Sequence, residues 1–341
     1  LHRMPEIGLE EFKTSKYIKS KLSELNIKYK DGYANTGIVA HIKGSKGSSD
    51  KSIGLRADFD ALPMPEKNNF DHNVIDDFGN EWEVYDQSMV DHGELRKQFL
   101  SYFKLFPWSE NMIQGVGADF GCGTGRWAKF VAEKVGFLLC LDASGKAISV
   151  AKKNLLNKKN CHLLQGRIDS LPILDNSLDF AYSLGVLHHL PETANAIDKC
   201  VRKLKSGAPF LIYLYYAFDN RPKWYFLIWK CSDLIRRAIS KSPFYIKYFL
   251  SNVIALIVYL PLAKLSFLLE KMKFNVSNIP LSEYKTKSFY TMRTDSLDRF
   301  GTRLEQRFTQ KQIQIMMESA GLVDIKFSDS APYWCVIGIK S

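Results

Sequence analysis

The sequence lacks any closely spaced pair of cysteines. Its six cysteines are scattered singly along 341 residues, whereas structural zinc sites and disulfide frameworks need cysteines at short or regular spacings. Their absence argues against both kinds of site and predicts a protein of the reducing cytoplasm. No signal-peptide pattern opens the chain, which favours the same location.

Long apolar runs are also missing. The longest uninterrupted one is Val253–Ala263, and a helix needs about 20 apolar residues to cross a bilayer. The sequence therefore predicts no membrane-spanning segment.

Acidic residues are too few to balance the basic ones, and the net charge is +11. Such a charge attracts anionic lipid or nucleic acid, but no recognisable nucleic-acid-binding motif accompanies it. A lysine-rich solvated surface is the favoured interpretation, and nucleic acid is not expected as a partner. The length allows two domains or one domain with an insertion.

The most informative pattern present is the glycine-rich run Gly117–Arg126, with glycines at 121, 123 and 125. It joins an apolar strand to a helix predicted over Trp127–Lys134. Glycine adopts backbone angles barred to other residues and lets a ligand approach the main chain. The next apolar strand ends in Asp142, where an acid can accept hydrogen bonds from a ribose. The pattern predicts a nucleotide site.

The run does not fit a dinucleotide. The dinucleotide fingerprint needs a third glycine where this chain has Arg126. The carboxylate of Asp119, just before the loop, would repel a pyrophosphate. It suits a ligand with a positively charged end.

Asp119-x-Gly-x-Gly-x-Gly with Asp142 closing the next strand resembles the class I S-adenosylmethionine-dependent methyltransferases. The resemblance continues through Gly166–Ile173, Asp175–Phe180 and Ser183–Pro191, and it covers roughly residues 74–341. It implies S-adenosylmethionine as the cofactor. The implied fold is α/β, with a Rossmann-like, seven-stranded, mostly parallel sheet and a helical insertion before the last two strands. Ligands of such sheets bind at the carboxyl ends of the strands.

The sequence predicts a helix over Thr309–Ala320, before the sixth strand. The seven predicted strands are Val116–Phe120, Phe137–Leu141, Cys161–Leu164, Asp179–Ser183, Pro209–Tyr216, Leu322–Phe327 and Tyr333–Ile339.

The resemblance assigns the glycine-loop side of the cofactor site. It places Asp119 close to the methionine ammonium group. Gly121, Gly123 and Gly125 let the loop wrap the methionine and ribose, and Cys122 lies between them.

The resemblance also assigns the ribose and adenine side. Asp142 takes both ribose hydroxyls; the alternative is a strand-end carboxylate that caps the next helix. Ala143 touches the adenine, and Ile168 offers it a backbone N–H. The family usually has an acid where this chain has Arg167, so Asp169 either reaches the adenine amino group or that contact is lost. The resemblance adds Ser183 to the cofactor-binding set.

Histidine titrates near neutral pH, so His188 could take a proton from a methyl acceptor. His188 and His189 follow the fourth strand, near where an acceptor would lie, but His-His is common at this place in the family. A structural role is the favoured alternative. The aromatic leader Phe78–Phe103 either packs over the cofactor or belongs to the core.

The insertion, residues 217–308, is aromatic and basic, as in Trp224–Lys230. This composition is typical of an interfacial helix, and the alternative is a self-packed helical cap; both can hold together. Arg293, Arg299 and Arg303 either clamp an anionic acceptor or pair with acids along a helix. The expected acceptor is a small or lipid-like molecule, with peripheral membrane contact through the insertion left open.

Residues 1–73 are a different piece. Leu1–Glu11, Thr36–Ala40 and Ile53–Pro63 resemble the start of the metal-dependent N-acyl-amino-acid amidohydrolases. That family's metal-ligand box should follow soon after but does not, and we expect a truncated, inert fragment without a metal. A metal-dependent hydrolase remains the first alternative function, and a non-catalytic cofactor-binding protein the second. The predicted division is 1–73 for the fragment and 74–341 for the methyltransferase domain.

Overall fold

The computed structural model of the chain describes residues 10–42 and 72–341. The chain divides into two compact units, residues 1–68 and 69–341. In the first of these units, the apolar spacing predicts a helix over Glu10–Leu25 and strands over Ile38–Ile42 and Ile53–Phe59. The last of these lies outside the described residues. The domain limit at residue 73 stays a prediction.

The first unit contains helix α1 (Phe12–Glu24) and a hairpin of β1 (Tyr29–Tyr33) and β2 (Gly37–Ala40). The helix and the second strand agree with the sequence, apart from their ends. Strand β1 was not predicted, because its polar sequence lacks the alternation of a half-buried strand. Ser15 Oγ donates to Thr36 O at 2.8 Å, which holds the helix to the hairpin.

The second unit is built on a seven-stranded sheet, in the order β5-β4-β3-β6-β7-β9-β8. All neighbouring pairs are parallel except those made by β9. The predicted fold class is confirmed. The strands are β3 (Val116–Phe120), β4 (Phe137–Asp142), β5 (Cys161–Gln165), β6 (Phe180–Leu184), β7 (Pro209–Tyr213), β8 (Leu322–Phe327) and β9 (Cys335–Lys340).

The order of the strands explains where a ligand can bind. The chain runs outwards from β3 to β5 and then returns to the other side of β3 with β6. Strands β3 and β6 therefore flank the point where the strand order reverses, and a crevice opens there at the carboxyl ends. All five residues of β6 are buried, as expected for a strand covered on both faces.

The helices of this unit cover both faces of the sheet. They are α2 (His72–Val84), α3 (His92–Tyr102), α4 (Ala128–Val131), α5 (Gly145–Asn154), α6 (Thr193–Lys203) and α11 (Gln310–Ser319).

Two elements are shorter than predicted. Helix α4 ends at Val131, and the chain continues in turns whose bonds run from Glu133 N to Phe130 O and from Lys134 N to Val131 O. Such tight turns are common at helix ends. Strand β7 ends at Tyr213 because its partner β9 begins opposite, at Cys335.

The insertion contains α7 (Lys223–Ile239), α8 (Phe244–Ile254), α9 (Leu260–Lys271) and α10 (Phe289–Gly301). It has its own apolar cluster, which includes Tyr259, Tyr284 and Met292. This packing supports the cap interpretation. Its two ends meet, since Ala217 N donates to Phe308 O at 2.9 Å.

Helices α8 and α9 form one continuous helical segment. A π-helical turn, Ala255–Tyr259, joins them just before Pro261, because proline lacks the N–H of a regular helical bond. Among the described residues, Phe244–Lys271 is one helix whose length and composition would suffice to cross a membrane. The expectation that no segment is long enough is therefore wrong: the apolar run is part of a longer helix that continues past Lys264.

Candidate functional site

The glycine loop leaves the end of β3 in conformations that favour glycine. Gly121, Gly123 and Gly125 have φ of +87°, +53° and +76°. A Cβ on Gly121 would lie 2.4 Å from a methyl carbon of Val186, in the loop after β6. The loop is therefore pressed against the end of β6, with its main chain open to the crevice.

Asp142 ties this loop to the end of β4. Its Oδ2 accepts from Gly123 N, and its Oδ1 from Ser144 N, each at 2.9 Å. Burial raises the pKa of Asp142, and these backbone N–H groups oppose the rise. A carboxylate oxygen has two lone pairs, so each still has one available for a ribose hydroxyl. The N-cap of α5 is Ser144, whose side chain accepts from Ala147 N, so the structure does not support the helix-capping alternative for Asp142.

Asp119 lies beneath the loop and is almost fully buried. Its Oδ2 accepts from Tyr182 OH, on β6, at 2.9 Å. Burial raises the pKa of Asp119 to about 8, although the Tyr182 hydrogen bond lowers it. A cation nearby would favour the ionised carboxylate, which is what the predicted contact with an ammonium group requires.

Two residues of the predicted cofactor set have other partners. Arg167 Nε donates to Asp169 Oδ1 at 3.0 Å, and Asp169 does not contribute to the cavity described next. Ser183 is fully buried and donates its hydroxyl to Phe120 O at 2.7 Å. Ser183 therefore holds β3 to β6.

A cavity of about 1430 Å³ opens at the carboxyl ends of the parallel strands. Among the described residues, its wall does not include Asp119, Gly125, Asp169, Ser183 or His188. It brings together six of the predicted cofactor residues: Gly121, Cys122, Gly123, Asp142, Ala143 and Ile168.

The aromatic leader contributes to this wall. Phe78 and Trp82 of α2 line the cavity, and the indole of Trp82 lies 3.3 Å from the position of a Cβ on Gly123. The guanidinium of Arg126 lies 5.8 Å from the same indole. The aromatic composition of residues 78–103 indicated that this segment could pack over the cofactor. No sequence pattern indicated that Trp82 contacts the glycine loop.

The His-His pair divides into two different environments. His188 is fully buried, and burial holds its pKa well below the usual range. His189 lines the cavity, and its Nδ1 lies 2.7 Å from Leu304 O. A carbonyl only accepts, so Nδ1 is the donor in this contact, and the neutral form of such a ring has its lone pair on Nε2. In the described part of the chain, that buried Nε2 has no partner.

Tyr215 and Asp298 lie beside the two histidines. The ring of Tyr215 lies 3.9 Å from that of His188 and 5.7 Å from that of His189. Tyr215 OH donates to Asp298 Oδ2. Burial raises the pKa of Asp298, and the neighbouring His189 lowers it. Sequence reasoning missed both residues, because no local pattern links positions so far apart.

The insertion forms the far wall of the cavity. One face of α7 lines it with Tyr225, Ile228, Trp229, Ser232 and Ile235, which recur at helical spacing. Among the residues the structure describes, no group of three or more potential metal ligands is present.

The predicted arginine clamp is occupied by internal contacts. Arg293 donates to Tyr248 OH at 2.8 Å, and Arg299 to Ser232 Oγ at 2.9 Å. Arg303 lies 3.4 Å from Asp77. These contacts support a structural role for Arg293 and Arg303, whereas Arg299 also lines the cavity.

Comparison with known families agrees with this geometry. Residues 118–212 match the family described as "Methyltransferase domain". The resemblance drawn from the motifs is confirmed, and the chain carries a methyltransferase domain whose cofactor is S-adenosylmethionine. The glycine loop, Asp142 and the cavity beside them fit such a nucleoside.

The curated relatives match a different part. Hippurate hydrolase of Campylobacter jejuni is 45% identical over 69 residues, or 20% of this chain and 18% of that protein. An uncharacterized hydrolase of Staphylococcus aureus is 47% identical over 68 residues, or 20% and 17%. The chain thus spans less than a fifth of these relatives, and the hydrolase-like fragment is confirmed as a fragment.

Solved structures that resemble this chain superpose on it with low TM-scores. A methyltransferase of Aquifex aeolicus described as S-adenosylmethionine-dependent has a TM-score of 0.39 and 14% identity, covering 79% of this chain and 97% of that one. One from Mesorhizobium loti has a TM-score of 0.33 and 22% identity, covering 38% and 58%. The assignment of the cofactor depends on the family match and on the site itself.

Proposed function

We propose that the methyltransferase domain of this chain transfers the methyl group of S-adenosylmethionine to a small or lipid-like acceptor held in the far half of the cavity. The observation that carries this proposal is one continuous cavity with the glycine loop and Asp142 at one end and apolar insertion helices at the other. Its 1430 Å³ exceeds the usual range for one ligand, about 300–1,000 Å³.

The residues at the cofactor end bind and orient. Asp142 holds the sugar, and the glycine loop lets the main chain approach the ligand. Asp119 supplies a buried negative charge below the loop. When bound, S-adenosylmethionine supplies a methyl group on a positively charged sulfur, and the carbon–sulfur bond breaks as the acceptor's new bond to that methyl carbon forms.

The residues at the other end handle the acceptor. An oxygen or nitrogen acceptor loses a proton during the transfer, and a positioned base must take it. Nε2 of His189 suits this role, because its lone pair is unused and Leu304 O fixes the ring. Tyr225 and Trp229 exclude water around the acceptor, which prevents loss of the methyl group to solvent.

Calorimetry with S-adenosylmethionine and S-adenosylhomocysteine tests the cofactor half of this proposal. Asp142→Ala serves as the weakened variant. Incubation of the pure protein with radiolabelled donor, cell extract and extracted lipids tests transfer, and the labelled product identifies the acceptor. Binding without transfer would favour a non-catalytic cofactor-binding protein. Absence of binding would refute the proposal.

A further inference from the structure

The segment Phe244–Lys271 is called the long helix below. Unlike a surface helix of a water-soluble protein, it buries mainly small residues and exposes large apolar ones. Its buried stripe consists mainly of small residues, including Ser251, Ala255, Ala263 and Ser266, each at most 1% exposed. Seven of its large apolar side chains are exposed. They are Phe249, Leu256, Ile257, Val258, Leu265, Phe267 and Leu268, each at least 38% exposed.

The inner side of the long helix is already occupied. Lys247 Nζ pairs with Asp77 of α2 at 2.6 Å, and Tyr85 donates to Asn252 Oδ1 at 3.1 Å. Only 22% of its most apolar window is buried. Small residues facing protein and large apolar ones facing outwards are typical of a helix in contact with lipid.

Helix α7 extends the same surface. Six of its apolar residues are at least 40% exposed: Trp224, Phe226, Leu227, Ile228, Leu234 and Ile235. Monomeric soluble proteins seldom expose so large a contiguous apolar area. The outer faces of α7 and the long helix are called the apolar face below.

The charge of this region identifies what covers the apolar face. Residues 223–274 contain nine lysines and arginines and two acids, of which Asp233 is buried between arginines. Lys230 and Lys271 lie about 5 Å from the rings of Phe226 and Phe267, with their stems along apolar surface. Aromatic and aliphatic residues edged by cations bind an anionic lipid surface.

The two helices of the apolar face also form part of the cavity wall. Ile228 and Ile235 of α7 and Ile257 and Val258 of the long helix line the cavity, and all four are at least 38% exposed. Ile257 and Val258 belong to the π-helical turn, a distortion that is frequent at functional sites. Helix α7 and the long helix therefore contribute apolar residues both to the cavity wall and to the apolar face.

From these observations we propose that the apolar face lies on an anionic phospholipid bilayer and that the methyl acceptor is a membrane-resident amphiphile whose apolar tail enters between α7 and the long helix. This inference rests on the proposed methyl transfer. It names the acceptor class and the surface from which the acceptor enters the site.

Flotation of the full chain with vesicles tests the surface. We expect binding to phosphatidylcholine vesicles that contain phosphatidylglycerol, and at least tenfold weaker binding to phosphatidylcholine alone or at high salt. Leu256→Gln with Leu268→Gln should weaken binding at least tenfold. Leu156→Gln with Leu174→Gln, at exposed positions outside α7 and the long helix, is the control. Equal loss in both double variants, or a dimer that buries the face instead of vesicle binding, would overturn the inference.

A series of 4-alkylphenols tests the entrance in the absence of vesicles. Affinity should rise up to about fourfold per added methylene, and Ile257→Trp should weaken the long members at least tenfold. Calorimetry with S-adenosylmethionine on the same samples separates the two proposals. Normal cofactor binding without a chain-length effect would refute the entrance alone, whereas failure of cofactor binding would refute the methyl transfer itself.

Discussion

Tyr182 and Asp119 are direct neighbours on adjacent parallel strands, and the phenol of Tyr182 donates to the buried carboxylate at 2.9 Å. The pair lies below the glycine loop, where a cation is expected. Burial raises the pKa of Asp119 to about 8, from an ordinary value of 3.8. Between about pH 4 and pH 8, Asp119 is therefore protonated in the folded chain without cofactor and ionised in the unfolded chain.

This pair predicts how stability depends on pH. The pKa of Asp119 is higher in the folded chain than in the unfolded chain. The contribution of Asp119 to the free energy of unfolding is therefore greatest below pH 4 and falls as the pH rises from 4 to 8. Urea denaturation at pH 5 and pH 8 should show a drop on the order of a few kcal/mol that Asp119→Asn removes. An identical drop in wild type and variant would show that Asp119 does not titrate in this window.

Replacing Asp142 should weaken cofactor binding. Asp142→Ala removes the acceptor for the ribose hydroxyls and for Gly123 N, and we expect a cost of about 1–3 kcal/mol in S-adenosylmethionine binding. Isothermal titration calorimetry measures it. Asp198→Ala, which breaks only an exposed pair with Arg202, should bind like the wild type. Unchanged affinity in Asp142→Ala would place the sugar elsewhere.

The contact between Gly121 and Val186 predicts a matched set of stability changes. Gly207→Ala tests positive φ alone, because φ is +79° there and no atom lies within 4 Å of the added Cβ; we expect about 1–2 kcal/mol. Gly121→Ala adds a clash and should cost more. Val186→Ala in that background should recover part of the difference. Thermal denaturation measures these stability changes. Equal destabilisation in Gly121→Ala and Gly207→Ala would mean that the glycine loop shifts to relieve the clash at no cost.

The two histidines are expected to respond differently in a transfer assay. His189→Gln keeps hydrogen-bonding capacity but cannot accept the proton, so kcat should fall on the order of 10²–10⁴-fold with an unchanged Kd for S-adenosylmethionine. His162→Gln, at an exposed position of the edge strand β5, is the control. If His188→Gln abolishes turnover while His189→Gln retains it, His188, as expected from the sequence, is the base, and the role proposed for His189 is wrong.

The sheet and the cofactor end of the site were largely predictable because their signals are local. Apolar runs give the buried strands, and a glycine loop followed by a strand-end acid gives Asp142. The acceptor end depends on tertiary contacts. Tyr215 and Asp298 are 83 positions apart, and no local sequence pattern around either residue predicts their contact.

The long helix was missed for a related reason. Lys264 ends its longest apolar run, and proline in a helix interior usually kinks or breaks the helix. Only the structure, with its π-helical turn, shows that the chain continues through Pro261 as one helix. Which face it buries depends on Asp77 of α2 and on Tyr85 just after that helix, both far away in the sequence.

The hydrogen bond between Ala217 and Phe308 has an evolutionary consequence. A stretch of chain that leaves and re-enters the framework at one point can be exchanged for another without altering the register of any strand. Replacement of residues 217–308 during evolution can thus change the acceptor end of the cavity while the strands and the cofactor end stay unchanged.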